Sequence, residues 1–111
     1  MPFLTIYSNG AGNDADLLAD AAALVAEKLG KPLCYVVVNL QMNPAMAFDG
    51  SPQNKGALIE MKSIGFGNKH PLVEALTDFA VERLKVNREL VNIQFVDMPA
   101  NTVAINGVLL G

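Results

Sequence analysis

The sequence is poor in cysteine, histidine and clustered basic residues. Cys34 is its only cysteine and His70 its only histidine, which excludes an internal disulfide and a zinc site of ordinary ligand spacing. The formal net charge is -3, and no stretch of the chain is rich in lysine or arginine. Because a phosphate backbone is bound through basic patches, we expect no nucleic-acid partner.

Long hydrophobic runs are also absent. No apolar stretch approaches the roughly 18 residues that a membrane-spanning helix requires. The first residues, MPFLTIYSNG, lack the positively charged segment with which a secretory signal peptide begins. We therefore predict a soluble, cytoplasmic protein that is made without a signal peptide and has no membrane partner.

Hydrophobic residues as a class are abundant. They make up 51% of the 111 residues, whereas charged residues make up 17%. This length corresponds to a single domain, residues 1–111, and a chain of this size buries about two-thirds of its unfolded surface. The composition is very apolar for a small monomer, which predicts that part of the surface is buried against other copies of the chain.

Hydrophobic periodicity predicts alternating strands and helices. The predicted strands are residues 3–8, 33–40, 57–64 and 90–97, and the predicted helices are residues 15–29 and 72–84. Asn13 or Asp14 is the expected N-cap of the first helix, and Gly30 the residue that ends it. Residues 33–40 have no polar alternation in their middle, which predicts a central strand buried on both faces. The stretch 41–56 is rich in Pro, Asn and Gly and is expected to be a long connection.

A repeat relates the two halves of the chain. Shifting the sequence by 55 positions places residues 2–41 over residues 57–96 and matches Leu17 with Leu72, which predicts a repeat of 2–41 in 57–97. We predict an α/β (α+β) fold made of a doubled βαβ unit, in which a four-stranded mixed sheet carries two helices on one face. The other face of such a sheet would be bare, and the tail 102–111 is one more apolar, strand-like segment. Both features predict a homo-oligomer.

Six short motifs follow one another along the chain. They are Pro2 after the initiator methionine, G-K-P-x-x-Y at Gly30–Tyr35, M-A-F-x-G at Met46–Gly50, S-I-G at Ser63–Gly65, A-V-E-R-L at Ala80–Leu84, and D-M at Asp97–Met98. In this order the motifs resemble the macrophage migration inhibitory factor family of the tautomerase superfamily. The resemblance implies a homotrimer with active sites between subunits and keto–enol tautomerisation of aromatic α-keto acids such as phenylpyruvate. It implies no metal and no organic cofactor.

The resemblance implies that Pro2 is the catalytic base once Met1 is removed. An α-amino group titrates near about 7.7 to 8.0, and apolar surroundings and a nearby cation lower its pKa, which leaves a neutral amine able to accept a proton near neutral pH. The cation would be Lys31, which would also pair with the substrate carboxylate, helped by the backbone N–H of Ile64. If Met1 stays attached, Pro2 is an amide and this base does not exist.

The other substrate-binding residues that the resemblance implies are Ser63, Tyr35, Asn92, Gln94, Val103 and Ile105. This chain departs from the family at several of them. Asn92 stands where many members have tyrosine, Gln94 stands where they have asparagine, and Ile105 and Leu110 replace late aromatic residues. A pocket with fewer rings would hold an aromatic substrate less tightly and admit more water around the base.

Each of these residues also has a purely structural interpretation. Lys31 could be a surface lysine at a helix end, and Tyr35 could fill a strand face. Ser63 could be only a strand end, which we favour because its counterpart in the repeat, Ser8, has no proposed chemistry. His70 is expected to be a solvated residue at a helix entry, and Cys34 a core residue.

Two other functions compete with catalysis. One is a cytokine-like binding protein that acts through the trimer surface, and the other is a trimer with a degenerate site and vestigial tautomerase activity. The thiol oxidoreductase activity of some family members depends on a C-x-x-C motif. That motif corresponds here to residues 56–59, which contain no cysteine, so we exclude this activity.

Overall fold

The computed structural model describes residues 1–12 and 15–111, and it forms one mixed sheet with two helices. The sheet contains β1 (Phe3–Ser8), β2 (Val37–Met42), β3 (Ala57–Ser63) and β4 (Val91–Asp97), in the order β2-β1-β3-β4. The helices are α1 (Leu17–Leu29) and α2 (His70–Leu84), and a short hairpin of β5 (Ala104–Ile105) and β6 (Val108–Leu109) follows β4. The predicted fold class is confirmed. Neither helix among the described residues has the length and apolar character needed to cross a membrane.

The pairing of the strands in the first half of the chain repeats in the second half with residue numbers shifted by 55. At the centre, β1 and β3 are antiparallel, and Thr5 lies opposite Glu60, its own counterpart at that offset. The outer pairs are parallel, with Phe3 opposite Val37 on one side and Leu58 opposite Asn92 on the other, again offset by 55. The strand register therefore has the same offset of 55 residues as the sequence repeat predicted for residues 2–41 and 57–97.

The core lies between the helices and one face of the sheet. Alternate residues of the two central strands are buried there, and the residues between them face the opposite side. Both helices contribute their apolar stripes to the same cluster, in keeping with periods of two and 3.6 residues. Its fully buried members include Leu4, Ile6, Ala57, Ile59, Met61, Leu17, Ala21, Val25, Leu72, Leu76, Ala80 and Leu84.

The ends of both helices follow their sequences closely. Gly30 is left-handed, with φ of 63°, and the N–H groups of Gly30 and Lys31 donate to the carbonyls of Glu27 and Ala26, which closes α1 with a Schellman motif. Helix α2 begins at His70, which is exposed as expected, with proline in its first turn. The predicted cap residues Asn13 and Asp14 lie outside the described residues.

The prediction of a central strand at residues 33–40 is wrong. Leu33–Tyr35 form a turn of 3-10 helix after Pro32, and the strand begins only at Val37, at the edge of the sheet beside β1. Val37 is 53% exposed on the face without helices, so a continuous apolar run here does not mean burial on both faces within one chain. Cys34, predicted to be a core residue, is exposed on the 3-10 turn.

The C-terminal tail forms a hairpin and not a single strand. Asn106 and Gly107 have φ of 53° and 76°, as the two central residues of a type I′ turn require, and Asn-Gly is the dipeptide that best predicts this turn. The apolar residues Val108, Leu109 and Leu110 are all exposed in the single chain. A two-stranded hairpin with exposed apolar residues has little stability by itself.

The core makes a direct prediction about stability. Ile59 is fully buried in β3, so Ile59→Val should lower the free energy of unfolding by about 0.5 to 1.5 kcal/mol and Ile59→Ala by about 2 to 5 kcal/mol. The exposed helix residue Val73 is the control, because Val73→Ala should change the free energy of unfolding by no more than about 0.5 kcal/mol. Urea unfolding at one fixed protein concentration measures these differences, and equal losses at both positions would contradict the assigned core.

Candidate active site at the N-terminal end of the sheet

Pro2 lies directly before β1 and is fully buried. Its carbonyl oxygen accepts a hydrogen bond of 3.0 Å from the N–H of Val37, which extends the ladder between β1 and β2 by one residue. On the other side, Phe3 lies opposite Lys62, so the next residues along the two strands, Pro2 and Ser63, lie side by side. Both belong to the buried, helix-facing side of the sheet.

Lys31 reaches the same end of the sheet from the end of α1. The left-handed Gly30 reverses the chain there, and the Lys31 Nζ donates a hydrogen bond of 3.0 Å to the carbonyl oxygen of Ile64. The structure therefore brings Lys31 together with Ile64, which follows directly after β3. Their contact is through the Ile64 carbonyl, whereas the family resemblance implies the Ile64 N–H as a substrate ligand.

The environment lowers the pKa of the α-amino group. Burial is the main cause, and the positive charge of Lys31 is the second, and together they bring the pKa of the Met1 amine below its ordinary value of 8.0. Met1 is only half-buried, whereas Pro2 is fully buried. Removal of Met1 would move the amine to Pro2, at the same end of the sheet as Lys31.

The turn after β3 is held by a residue to which the sequence analysis gave no role. The Asp97 carboxylate accepts a hydrogen bond of 2.9 Å from the N–H of Gly65, whose φ is 79°. The N–H of the following residue, Met98, donates to the carbonyl of Ser63 over 2.8 Å. Asp97 therefore fixes the Ile64–Gly65 turn beside Lys31. The sequence held a signal for this turn. Gly65, which has a positive φ, belongs to the S-I-G motif, and Asp97 belongs to the D-M motif at the end of the neighbouring strand.

Two predicted substrate-binding residues, Asn92 and Gln94, lie elsewhere in this chain. They are exposed on the face of β4 that points away from the helices. Asn92 lies opposite Leu58, which in turn pairs with Tyr7 near the far end of β1 from Pro2. A single chain therefore does not bring them to Pro2, and they could line such a site only from another copy.

The remaining predicted residues lie on the 3-10 turn before β2 and at the C-terminal hairpin. Tyr35 is exposed on the 3-10 turn between Lys31 and β2. Val103 is buried, and its carbonyl oxygen accepts a hydrogen bond of 2.9 Å from the N–H of Leu110, which ties the hairpin to the chain before it. Ile105 is half-buried in β5. Within residues 1–12 and 15–111, no three His, Cys, Asp or Glu side chains group closely enough to hold a metal ion.

Comparison with known proteins shows sequence similarity along the whole chain. The family model described as macrophage migration inhibitory factor matches residues 1–111. A macrophage migration inhibitory factor homolog from Brugia malayi is 35% identical, with 100% of both chains covered. The homolog from Trichinella spiralis is 29% identical over 96% of this chain and 97% of the relative.

Solved structures share the same fold. The macrophage migration inhibitory factor from Oncomelania hupensis superimposes with a TM-score of 0.91 at 25% identity, covering 100% of this chain and 83% of the other. The homologue from Prochlorococcus marinus gives a TM-score of 0.87 at 29% identity, covering 98% and 99%. The likeness therefore covers essentially the whole length of the chain.

The electrostatics of the site give a test that needs no substrate. The charge of Lys31 disfavours protonation of the terminal amine, so Lys31→Ala should raise the pKa of that amine toward 8.0, while burial still holds it lower. Lys28→Ala is the matched control, because Lys28 is an exposed lysine in the last turn of the same helix. NMR titration of the amine measures both, and equal pKa values in the two variants would show that Lys31 does not act on the N-terminus.

Proposed function

The chain belongs to the macrophage migration inhibitory factor family, and from this we propose that it is a cofactor-free keto–enol tautomerase in which the Pro2 amine is the general base. The proposed substrates are aromatic α-keto acids such as phenylpyruvate. The observation that carries the proposal is the burial of Pro2 at the end of β1 with Lys31 beside the same strand ends. A neutral amine in apolar surroundings next to a cation is the form of base that this reaction needs.

The reaction is a movement of one proton. The neutral Pro2 nitrogen takes a proton from the carbon next to the keto group, and the electron pair of that C–H bond forms the enol double bond. The carbonyl electrons move to oxygen, and the proton held by Pro2 is then delivered to that oxygen. The reverse sequence regenerates the keto acid, so the amine ends in the protonation state in which it began.

The proposed partner of the substrate carboxylate is Lys31. Its Nζ has a backbone carbonyl, that of Ile64, as hydrogen-bond acceptor, and an ammonium group has further donors available for a carboxylate. A charge-assisted pair in a partly buried site is stronger than a neutral hydrogen bond. The same contact would place the keto carbon near Pro2 and so align the proton that is removed.

We propose a homotrimer as the active form. The free face of the sheet and the hairpin leave Val37, Leu58, Val96, Val108 and Leu109 exposed in one chain, which supports burial against other copies. Asn92 and Gln94 lie on that same free face, at a distance from the Pro2 of their own chain along the sheet. In a closed ring they would face the site of a neighbouring subunit, together with the residues of the hairpin.

The number of subunits can be tested directly. One chain has a mass of 11.8 kDa, so light scattering at micromolar concentration should give about three times this value, because the apolar free face is covered only in the assembly. Val108→Lys in the hairpin should shift the mass toward that of one chain, whereas Leu18→Lys on the exposed side of α1 should not. A stable monomer of the unaltered protein would contradict a site shared between subunits.

The identity of the base can be tested by Pro2→Gly. This variant retains an N-terminal amine after removal of Met1, but the amine is primary and free to rotate. A general base contributes roughly 100- to 10,000-fold to a rate. Because the variant keeps an amine, we expect kcat for phenylpyruvate enolisation to fall, but by a smaller factor than this, and KM to change little. Intact mass must first show that Met1 is absent from both proteins. An unchanged kcat would contradict a specific role for the secondary amine of Pro2.

A further inference from the structure

Ser63 has an unusual position for a hydroxyl group. It is completely buried at the end of β3, and among the described residues its Oγ is a buried side-chain atom with no hydrogen-bond partner. Leaving a buried polar atom unpaired costs free energy, so such atoms in folded proteins call for an explanation. The register of β1 and β3 places Pro2 beside Ser63 on one side, and Asp97 is its register partner in β4 on the other.

The repeat supplies an internal comparison, because Ser8 is the counterpart of Ser63. Ser8 is equally buried, but its Oγ donates a hydrogen bond of 2.7 Å to the carbonyl of Gly56 and accepts one of 3.0 Å from the N–H of Gly10. Ser8 is therefore fully satisfied within the chain. The same residue type, at the matching position of a matching strand, is unsatisfied only in the second half.

The two groups that pair with Ser8 have counterparts near Ser63, and neither pairs with its hydroxyl. The counterpart of Gly10 is Gly65, and its N–H donates to Asp97 instead. The counterpart of Gly56 is Met1, the residue that precedes Pro2, and its carbonyl accepts no hydrogen bond from the Ser63 Oγ. Removal of Met1 would leave the Pro2 nitrogen at this point of the chain.

We propose that the Ser63 hydroxyl accepts a hydrogen bond from the protonated Pro2 amine and thereby positions it. This inference rests on the proposed role of Pro2. A protonated proline amine has two N–H bonds, and in a buried site each needs an acceptor. Ser63 would hold one of them, which leaves the other directed at the substrate atom that receives the proton. Ser63 is thus a positioning residue that acts through Pro2.

The other charged groups near this end of the sheet have different roles. Lys31 approaches from the end of α1 and disfavours the protonated amine. Lys62 is exposed on the opposite face of β3, and Asp97 accepts the hydrogen bond from Gly65. Ser63 would favour the protonated amine, so removal of Ser63 and removal of Lys31 should change the amine pKa in opposite directions.

The experiment compares Ser63→Ala with Ser8→Ala in protein shown by intact mass to lack Met1. NMR titration of a ¹⁵N-proline label measures the pKa of Pro2 without any substrate. We expect Ser63→Ala to lower this pKa by about one, a tenfold change in proton affinity, because the protonated form loses its acceptor. Ser8→Ala should leave the pKa unchanged. The acidic limb of kcat/KM for phenylpyruvate should move with the NMR value in Ser63→Ala only.

The melting temperature provides a second readout and shows whether each variant is folded. In protein that retains Met1, Ser63→Ala removes no hydrogen bond within the chain, so its melting temperature should be unchanged or higher, whereas Ser8→Ala loses two hydrogen bonds and should melt earlier. Ser63→Cys keeps a side chain of similar size with a weaker acceptor and should also lower the pKa of Pro2.

The outcomes separate this inference from the proposed function. An unchanged or raised Pro2 pKa in Ser63→Ala overturns the role of Ser63, even if the unaltered protein is an active tautomerase. A rise in KM with an unchanged pKa would make Ser63 a substrate contact and would also overturn it. A lowered pKa in a protein without tautomerase activity would support the Ser63 contact and contradict the proposed function.

Discussion

The antiparallel pairing of β1 with β3 is the interaction on which the rest of the structure depends. It places Thr5 against Glu60 at the centre of the sheet, so the beginning of each strand lies beside the end of the other. Pro2 is thereby held beside Ser63 on the buried side of the sheet. The helix-facing side of both strands is fully buried, and Lys31 and Ile64 meet where β1 begins and β3 ends.

A second constraint is that helices cover only one face of this sheet. The helix side is a packed core, whereas the other side carries a mixture of apolar and polar residues such as Val37, Leu58, Asn92 and Gln94. Such a surface suits contact with copies of the same chain better than it suits solvent. The proposed site and the proposed assembly are therefore linked, because the residues that one chain keeps away from its Pro2 are the ones it could offer to a neighbour.

The sequence predicted the parts of this structure whose patterns arise within one chain. The alternation in Phe3–Ser8 and the spacing of Leu72, Leu76 and Phe79 by four and three residues indicate burial against a single layer, and these elements were predicted closely. Residues 33–40 were misassigned because their apolar character reflects an edge strand with an uncovered face. The prediction that Pro2 and Lys31 belong to one site came from the family resemblance, because local sequence patterns do not show which strand ends lie side by side. That the Ser63 hydroxyl is buried and unpaired could be recognised only from the strand register and the three-dimensional structure.

The central claim is that a buried amine on Pro2 moves a proton on an α-keto acid, and isotope exchange tests it most directly. Phenylpyruvate incubated in D₂O near neutral pH should exchange its CH₂ protons for deuterium at a rate proportional to the concentration of protein that lacks Met1. Protein that retains Met1 has no amine on Pro2 and should give only the rate of buffer alone. Equal catalysed exchange by the two forms, or no catalysis by the processed form, would contradict the account.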